Sequence, residues 1–452
     1  MRKRFHEQQP LTQAFLDHEH ARELEAVSAT LDRMPDVLER IERDLVGSRS
    51  NEVGRCGMTA EQVLRAMVIK QLNGFSYAEL AFHLLDSRTY RSFCRFGDFG
   101  KPPSRSTLQE NIKRISAESF ESVNRRLLSL AEEDGIEKGR KIRIDTTSVE
   151  SNIHEPTDSL LLFDVNRVLT KKLKASRRFG VVFKSHARAA KRRTFAIQNA
   201  RSREQREPLY RSLLKIVEET LLASSIAVGM LEYRGNTESR EGREAKRLAN
   251  AIAHFWAVGE RVVSQTRRRV LDGERVPATE KVVSIFETHT DILVKGRREV
   301  EYGHKVNLAV GKSSLVTDCV IEEGNPADST LAVKMIDRHR DLYGRPPCQV
   351  AADGGYASRD NLREIKKRGV DDVAFAKRCG LSINDMVKSI WVYKRLKRFR
   401  AGIEGVISFL KRCFGLDRCT WRGFRSFQAY VWGSVLSANL LIFARHRIGA
   451  SP

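Results

Sequence analysis

Apolar residues three and four positions apart, Val63, Leu64, Met67, Val68 and Leu72, mark a helix from Thr59 to Asn73. Shorter helices are expected over Ser76 to Leu85, Ser87 to about Arg95 and Ser106 to about Ile115. Thr59 and Ser76 are suited to N-cap positions, Gly74 ends the first helix, and Ser106 followed by Gln109 forms a capping-box signature. Residues 1–55 are charged and helix-prone and form an N-terminal helical arm with no chemistry of their own. The short capped helices and the basic flank Lys101, Arg105, Lys113 and Arg114 predict an all-α, helix-turn-helix-like DNA-binding domain over residues 56–137. A helical dimerisation cap is the alternative.

At Lys141 the period changes to two, with Ile142 and Ile144 on one side and Asp145, Thr147 and Val149 on the other. Further strands are expected at Tyr302 to Val310, Ser314 to Glu322, Cys348 to Asp353 and Asp372 to Lys377. Before the last of these runs a helix from about Arg359 to Arg368, capped by Ser358 and closed by Gly369. Strands followed by alternating strand and helix indicate a mixed α/β sheet domain over residues 138–450. The stretch between the first two strands reads mostly as helix, so the sheet domain is interrupted by a basic helical insertion at about 155–285.

Composition adds a partner to this outline. The 452 residues, 41% of them apolar, are ample for globular cores. The 80 Lys and Arg against 57 Asp and Glu, a net charge of +23, draw in polyanions. From Arg167 to Lys215 sixteen cations are relieved only by Glu204 and Glu207. That density points to phosphate contacts through residues such as Lys191, Arg192 and Arg193, the alternative being a solvated helix face. A second basic run, Lys394, Arg395, Lys397, Arg398 and Arg400, is interleaved with Trp391, Tyr393 and Phe399. It suits backbone contact with base stacking, or an amphipathic helix with its aromatics in the core. The seven cysteines (56, 94, 319, 348, 379, 413, 419) contain no Cys-x-x-Cys pair, which predicts idle thiols in a reduced compartment. Without a run of 18 apolar residues or an apolar signal core at the N-terminus, a cytoplasmic, nucleoid-associated protein with no membrane partner is expected.

Three carboxylates have settings that a metal-dependent nuclease needs: Asp145 in Arg143-Ile144-Asp145-Thr146-Thr147, Asp353 in Ala351-Ala352-Asp353-Gly354-Gly355, and Glu404 in Arg400-Ala401-Gly402-Ile403-Glu404. Phosphodiester chemistry needs an activated oxygen nucleophile and a stabilised leaving oxygen, which two metal ions roughly 3.5–4 Å apart supply. Mg²⁺, for which Mn²⁺ substitutes, takes oxygen ligands. Asp145 and the end of the Asp353 strand are able to lie side by side in one sheet. Ile403, Val406, Ile407, Leu410 and Phe414 form the apolar stripe that seats the Glu404 helix on it, with Arg400, Glu404 and Lys411 along the adjacent stripe. Taken singly, each acid has a plainer reading: a surface salt-bridge ladder for Glu404, turn chemistry for Asp353, a loop contact for Asp145.

Together these motifs resemble the DDE-type transposases of bacterial insertion sequences, whose catalytic domain is similar to ribonuclease H and retroviral integrase. The resemblance rests on Ile144-Asp145-Thr146-Thr147, Tyr302-Gly303-His304-Lys305-Val306, Ala352-Asp353-Gly354-Gly355-Tyr356, and Gly402-Ile403-Glu404-Gly405 followed by Leu410-Lys411-Arg412. Arg400, Glu404 and Lys411 fit the family's Arg-x3-Glu-x6-Lys signature, while Lys397 stands where many relatives carry a Tyr. Gly74-Phe75-Ser76-Tyr77-Ala78-Glu79-Leu80 resembles part of the family's N-terminal helical domain. The resemblance implies a ribonuclease H-like mixed sheet and a DNA transposase that cuts element ends and joins the freed 3′-hydroxyl to target. It also implies a homodimer or larger synaptic assembly on double-stranded DNA. Asp145, Asp353 and Glu404 would then be catalytic metal ligands, Arg400 and Lys411 phosphate contacts, and His154 and His304 possible additional ligands or bases. A catalytically silent DNA-binding regulator and a nuclease without strand transfer remain alternatives.

Overall fold

Strand β1 (Lys141–Glu150) lies at the middle of a six-stranded sheet completed by β2 (Asp291–Lys295), β3 (Glu299–Val310), β4 (Val316–Ile321), β5 (Gln349–Ala352) and β6 (Asp372–Phe375). The computed structural model describes residues 4, 18–48, 57–97, 100–295 and 299–449. The strand order is β2-β3-β1-β5-β6, with β4 also paired to β3. β3 runs antiparallel to β1 and β4, whereas β5 and β6 run parallel to β1. The strand β2 was not foreseen: its five residues are too few to establish a period. Parallel register sets Ile144 beside Ala352, so the next residues, Asp145 and Asp353, emerge side by side. Ile142 and Ile144 face one apolar core, and Val149 faces another, as the two-residue period requires.

Among the described residues, seven helices precede the sheet: α1 (Glu19–Asp32), α2 (Val37–Val46), α3 (Ala60–Leu72), α4 (Tyr77–Asp86), α5 (Arg88–Phe93), α6 (Arg105–Ile112) and α7 (Ala117–Glu133). Thr59 with Gln62 and Ser76 with Glu79 form complete capping boxes on α3 and α4. At α6 the cap is Ser104, ahead of the expected Ser106, and its hydroxyl accepts from Thr107 N. Pro102 and Pro103 set the reason, since a residue before proline is held out of the α region and the chain reaches Ser104 extended.

The chain divides into two compact units, residues 1–151 with 303–452, and residues 152–302. The second unit is wider than the insertion expected at 155–285. It contains α8 (Asp158–Ser176), α9 (Ala187–Asn199), α10 (Arg203–Gly235) and α11 (Arg240–Thr266), closed around its own core of residues such as Leu162, Leu169, Leu213, Val217 and Ile252.

The first unit continues with α12 (Ala332–Tyr343), α13 (Arg359–Lys367), α14 (Ile383–Met386), α15 (Ile390–Phe414) and α16 (Phe424–Arg447). α16 is long and apolar enough to cross a bilayer by length and composition, yet its apolar window is almost wholly buried against α1, α3 and α7. Asn439 on α16 joins helices to sheet: its amide nitrogen donates to Asn124 Oδ1 and to Val316 O, both at 2.7 Å, and its Oδ1 accepts from Val316 N. The described N-terminal helices therefore share one core with the sheet instead of standing apart as an arm and a separate domain.

Candidate active site

Asp145 projects from the middle of β1, Asp353 follows the last residue of β5, and Glu404 lies halfway along α15. α15 crosses β1, β5 and β6, seated by buried Val392, Leu396, Ile403, Val406 and Leu410. Gly402 permits the close approach, because a Cβ there would collide with the Arg143 guanidinium. Arg143 in turn donates to Phe399 O at 3.1 Å and lies over the Phe399 ring. The paired glycines after Asp353 answer the same need, since a Cβ on Gly354 would come within 2.8 Å of Lys377 and one on Gly355 within 2.8 Å of Asp328.

The three acids converge on one cation. Arg400 Nη2 lies 2.8 Å from Asp145 Oδ2 and 3.1 Å from Asp353 Oδ1, and its Nη1 lies 2.9 Å from Glu404 Oε1. The expectation that Arg400 is directed at phosphate is not what the structure shows; its guanidinium occupies the focus of the carboxylates. Asp145 is the most enclosed, its side chain 14% exposed against 41% for Asp353 and 67% for Glu404. Burial pushes the Asp145 carboxyl up to about 6, against the pull of Arg400 and with the neighbouring charge of Asp353 adding to the rise. Thr146 N donates to Asp145 Oδ1 at 2.9 Å and fixes the carboxylate's orientation.

The donor set is all oxygen, which suits Mg²⁺ or Mn²⁺. Among the described residues, no three carboxylate, imidazole or thiolate side chains stand close enough to hold a metal ion as arranged. The acids bracket the Arg400 guanidinium instead.

Beneath the acids lies a polar floor that sequence reasoning missed. Asp328 Oδ1 accepts from Thr146 Oγ1 at 3.2 Å and from Lys305 Nζ at 3.0 Å. Tyr356, fully buried, donates its hydroxyl to Asn307 Oδ1 at 2.9 Å. Asp328 follows a turn in which Gly324 and Asn325 both have positive φ. That turn signal was present in Gly-Asn-Pro, but nothing local reveals that its aspartate returns to β1.

The remaining expected residues are dispersed. Lys397 and Arg398 are exposed on α15, and Lys411 lies 3.5 Å from Asp417. Arg105 is exposed at the start of α6, and the Lys113 ammonium sits over the Trp421 ring. Lys191, Arg192 and Arg193 are exposed on α9 in the second unit, where Arg193 donates to Ser212. His304 is buried against Phe424 and Phe427, away from any role as a ligand beside the acids, and His154 faces Asp164 at 3.7 Å. Of the three aromatics near Glu404, only Trp391 is open, at 65% exposure. Tyr393 is buried with its hydroxyl donating to Phe375 O, and Phe399 is covered by Lys141 and Arg143. The burial of Tyr393 thereby excludes it from base stacking in this conformation. Of the described cysteines, Cys94, Cys319 and Cys419 are buried and Cys348, Cys379 and Cys413 exposed.

Comparison with known families matches residues 264–440 to the Transposase DDE domain and residues 12–114 to the Transposase domain (DUF772). The first stretch holds Asp353 and Glu404; Asp145 lies upstream of it, on the strand that the sheet pairs with β5. No curated protein and no solved structure matches the chain.

Proposed function

The chain is an insertion-sequence DDE transposase of ribonuclease H-like fold that acts on DNA, and from that premise we propose that it cuts the ends of its element and joins the freed 3′-hydroxyl to target DNA at Asp145, Asp353 and Glu404. The observation that carries this reading is the Arg400 guanidinium, which lies within 3.1 Å of an oxygen of every one of the three acids. Carboxylates gathered around one cation from a strand, a strand end and a helix are an arrangement that a divalent cation can take over. When bound, Mg²⁺ or Mn²⁺ supplies Lewis acidity to the phosphoryl group and lowers the pKa of the attacking oxygen.

The chain's own groups then have separate tasks. Asp145, oriented by Thr146 N, and Asp353, carried beside it by the β1–β5 register, hold the cation on the sheet, while Glu404 closes the set from α15. Arg400, displaced from the acids, becomes free to meet a phosphate oxygen next to the scissile bond. Lys397, Arg398 and Lys411 on the same helix extend that contact along the backbone. Arg105 and Lys113, and separately Lys191, Arg192 and Arg193 of the second unit, contact duplex phosphates. The chain works in the cytoplasm at the nucleoid, and a homodimer or larger assembly holds two element ends together.

Strand cleavage and joining on a labelled element-end duplex test the reading, with Asp145→Asn, Asp353→Asn and Glu404→Gln compared with the parent in Mg²⁺, Mn²⁺ and Ca²⁺. Each variant should retain DNA binding and lose cleavage by about two orders of magnitude or more, and pairs of replacements should add little to single ones. Ca²⁺, with longer and looser coordination, should support binding with little cleavage. Substantial cleavage by Glu404→Gln would remove α15 from the catalytic assignment. Cutting without joining would make the enzyme a nuclease.

A further inference from the structure

α10 packs against α8, α9 and α11, which enclose the core of the second unit with it. The side of α10 turned away from them carries Leu222, Ile226, Met230 and Tyr233, spaced four, four and three residues apart and so in one stripe along the helix. These side chains are 65%, 58%, 38% and 82% exposed. Scattered apolar residues are ordinary on a protein surface, but a continuous row of four large ones marks a surface that meets another apolar surface. Beside the row Ser225 is exposed, and a Cβ on Gly229 would meet nothing within 4 Å. Glycine inside a helix is unfavourable relative to alanine, and here it leaves room for a second backbone to come close. The stripe ends at a cavity of about 890 Å³ lined by Gly229, Met230 and Tyr233 together with Phe179 and Thr237.

The charges around the stripe select its occupant. From Thr220 to Leu231 the helix has no charged side chain, so duplex DNA finds no cation there. Two copies of a chain with net charge +23 repel each other wherever their basic surfaces meet, and an uncharged face is where they approach at least cost. The two ends of the stripe carry opposite charges: Glu219, 3.1 Å from His186, at one end and Arg234 at the other. Glu218 is paired with Arg267, and Glu232, six residues from Ile226, stands well off the stripe. Laid antiparallel about Ile226, two copies of α10 bring Leu222 of each towards Met230 of the other, and Glu219 towards Tyr233 and Arg234. A parallel pair would instead set Glu219 against Glu219 and Arg234 against Arg234. The face is thus complementary to itself under a two-fold axis, as an isologous interface requires.

We propose that a second copy of this chain docks on this face, the two α10 helices lying antiparallel across a two-fold axis near Ile226. The proposal rests on the reading of the chain as a homodimer and names the surface that joins the copies.

The test is sedimentation equilibrium of the full chain without DNA, in the parent and in Ile226→Glu, with the helix content of both followed by circular dichroism. The parent should be dimeric. Ile226→Glu sets two like charges face to face at the axis and should raise the dimer Kd by at least about a hundredfold, while helix content stays the same because the side chain is exposed. Glu219→Arg and Arg234→Glu should each weaken the dimer, and the two together should restore it, a recovery that a folding defect cannot produce. Should Ile226→Glu lose helix content, this charge exchange decides the matter alone. A dimer of parental strength in folded Ile226→Glu, or no recovery in the double variant, overturns this face and leaves the homodimer standing. A monomeric parent overturns the homodimer reading with it.

Discussion

Asp145 illustrates how one residue can be poised between two roles. Its carboxyl is pushed up to about 6 chiefly by burial, although Arg400 lies 2.8 Å away. A folded-state pKa above the unfolded value means that the folded chain holds the proton more tightly. The resulting stability is fully present below the ordinary aspartate pKa and is lost as pH rises through about 6. In metal-free protein, Asp145→Asn should flatten this part of the profile, by on the order of 3 kcal/mol between pH 4 and 7. Urea unfolding midpoints of parent and variant at intervals across that range measure the difference. Parallel profiles would show that Asp145 is not held in the enclosed setting described. Under the proposed function the same residue would have to ionise to hold a cation, so the charge that costs stability without metal would be the one that metal binding uses.

At the scale of the element, α6 shows how a cap is chosen. Ser106 lies in the first turn of α6, whereas Ser104 follows the proline pair in extended conformation and its hydroxyl accepts from Thr107 N. Ser104→Ala should cost about 1 kcal/mol, and Ser106→Ala only a few tenths. Chemical denaturation of the two variants separates them, and equal losses would contradict the assigned start of the helix. α15 shows the complementary case. Its expected apolar stripe was Ile403, Val406, Ile407, Leu410 and Phe414, of which all but the half-buried Ile407 are buried, because a 3.6-residue period records which face must leave water. The role of Arg400 was not legible, since its position on the helix names Glu404 as a neighbour but says nothing of two aspartates brought in by the sheet.

For the molecule as a whole, the topology explains how a long helical segment can interrupt a sheet. Glu150 and Gly303, which flank the second unit in sequence, are register partners in the β1–β3 ladder. The excursion therefore begins and ends at one place in the β1–β3 ladder, carries β2 and the first residues of β3 with it, and has an apolar core of its own. Replacing residues 151–302, and with them β2 and the first residues of β3, by an Asn-Gly turn between the partners Glu150 and Gly303 should leave a chain that still unfolds cooperatively, because two-residue turns of this kind close antiparallel pairs. Its duplex affinity should fall, with the salt slope reduced by about 0.9 for each phosphate that the basic face of α9 neutralises in the parent. An unchanged slope would assign Lys191, Arg192 and Arg193 to a solvated surface.

The N-caps Thr59 and Ser76 and the strand carrying Asp145 were legible in the sequence alone, because each depends on residues within a turn or two of one another; the expected capping box at Ser106 and Gln109 did not form, and the three acids were named as candidates. The tertiary structure decided what lies between those acids: Arg400 at their focus, Asp328 returned to Thr146, and Tyr393 and His304 turned inward away from solvent. It also merged the N-terminal helices into the core of the sheet through α16. Those outcomes depend on strand register and on helices packing across long separations in the chain. Local pattern states which face of an element is buried, and only packing determines what it is buried against.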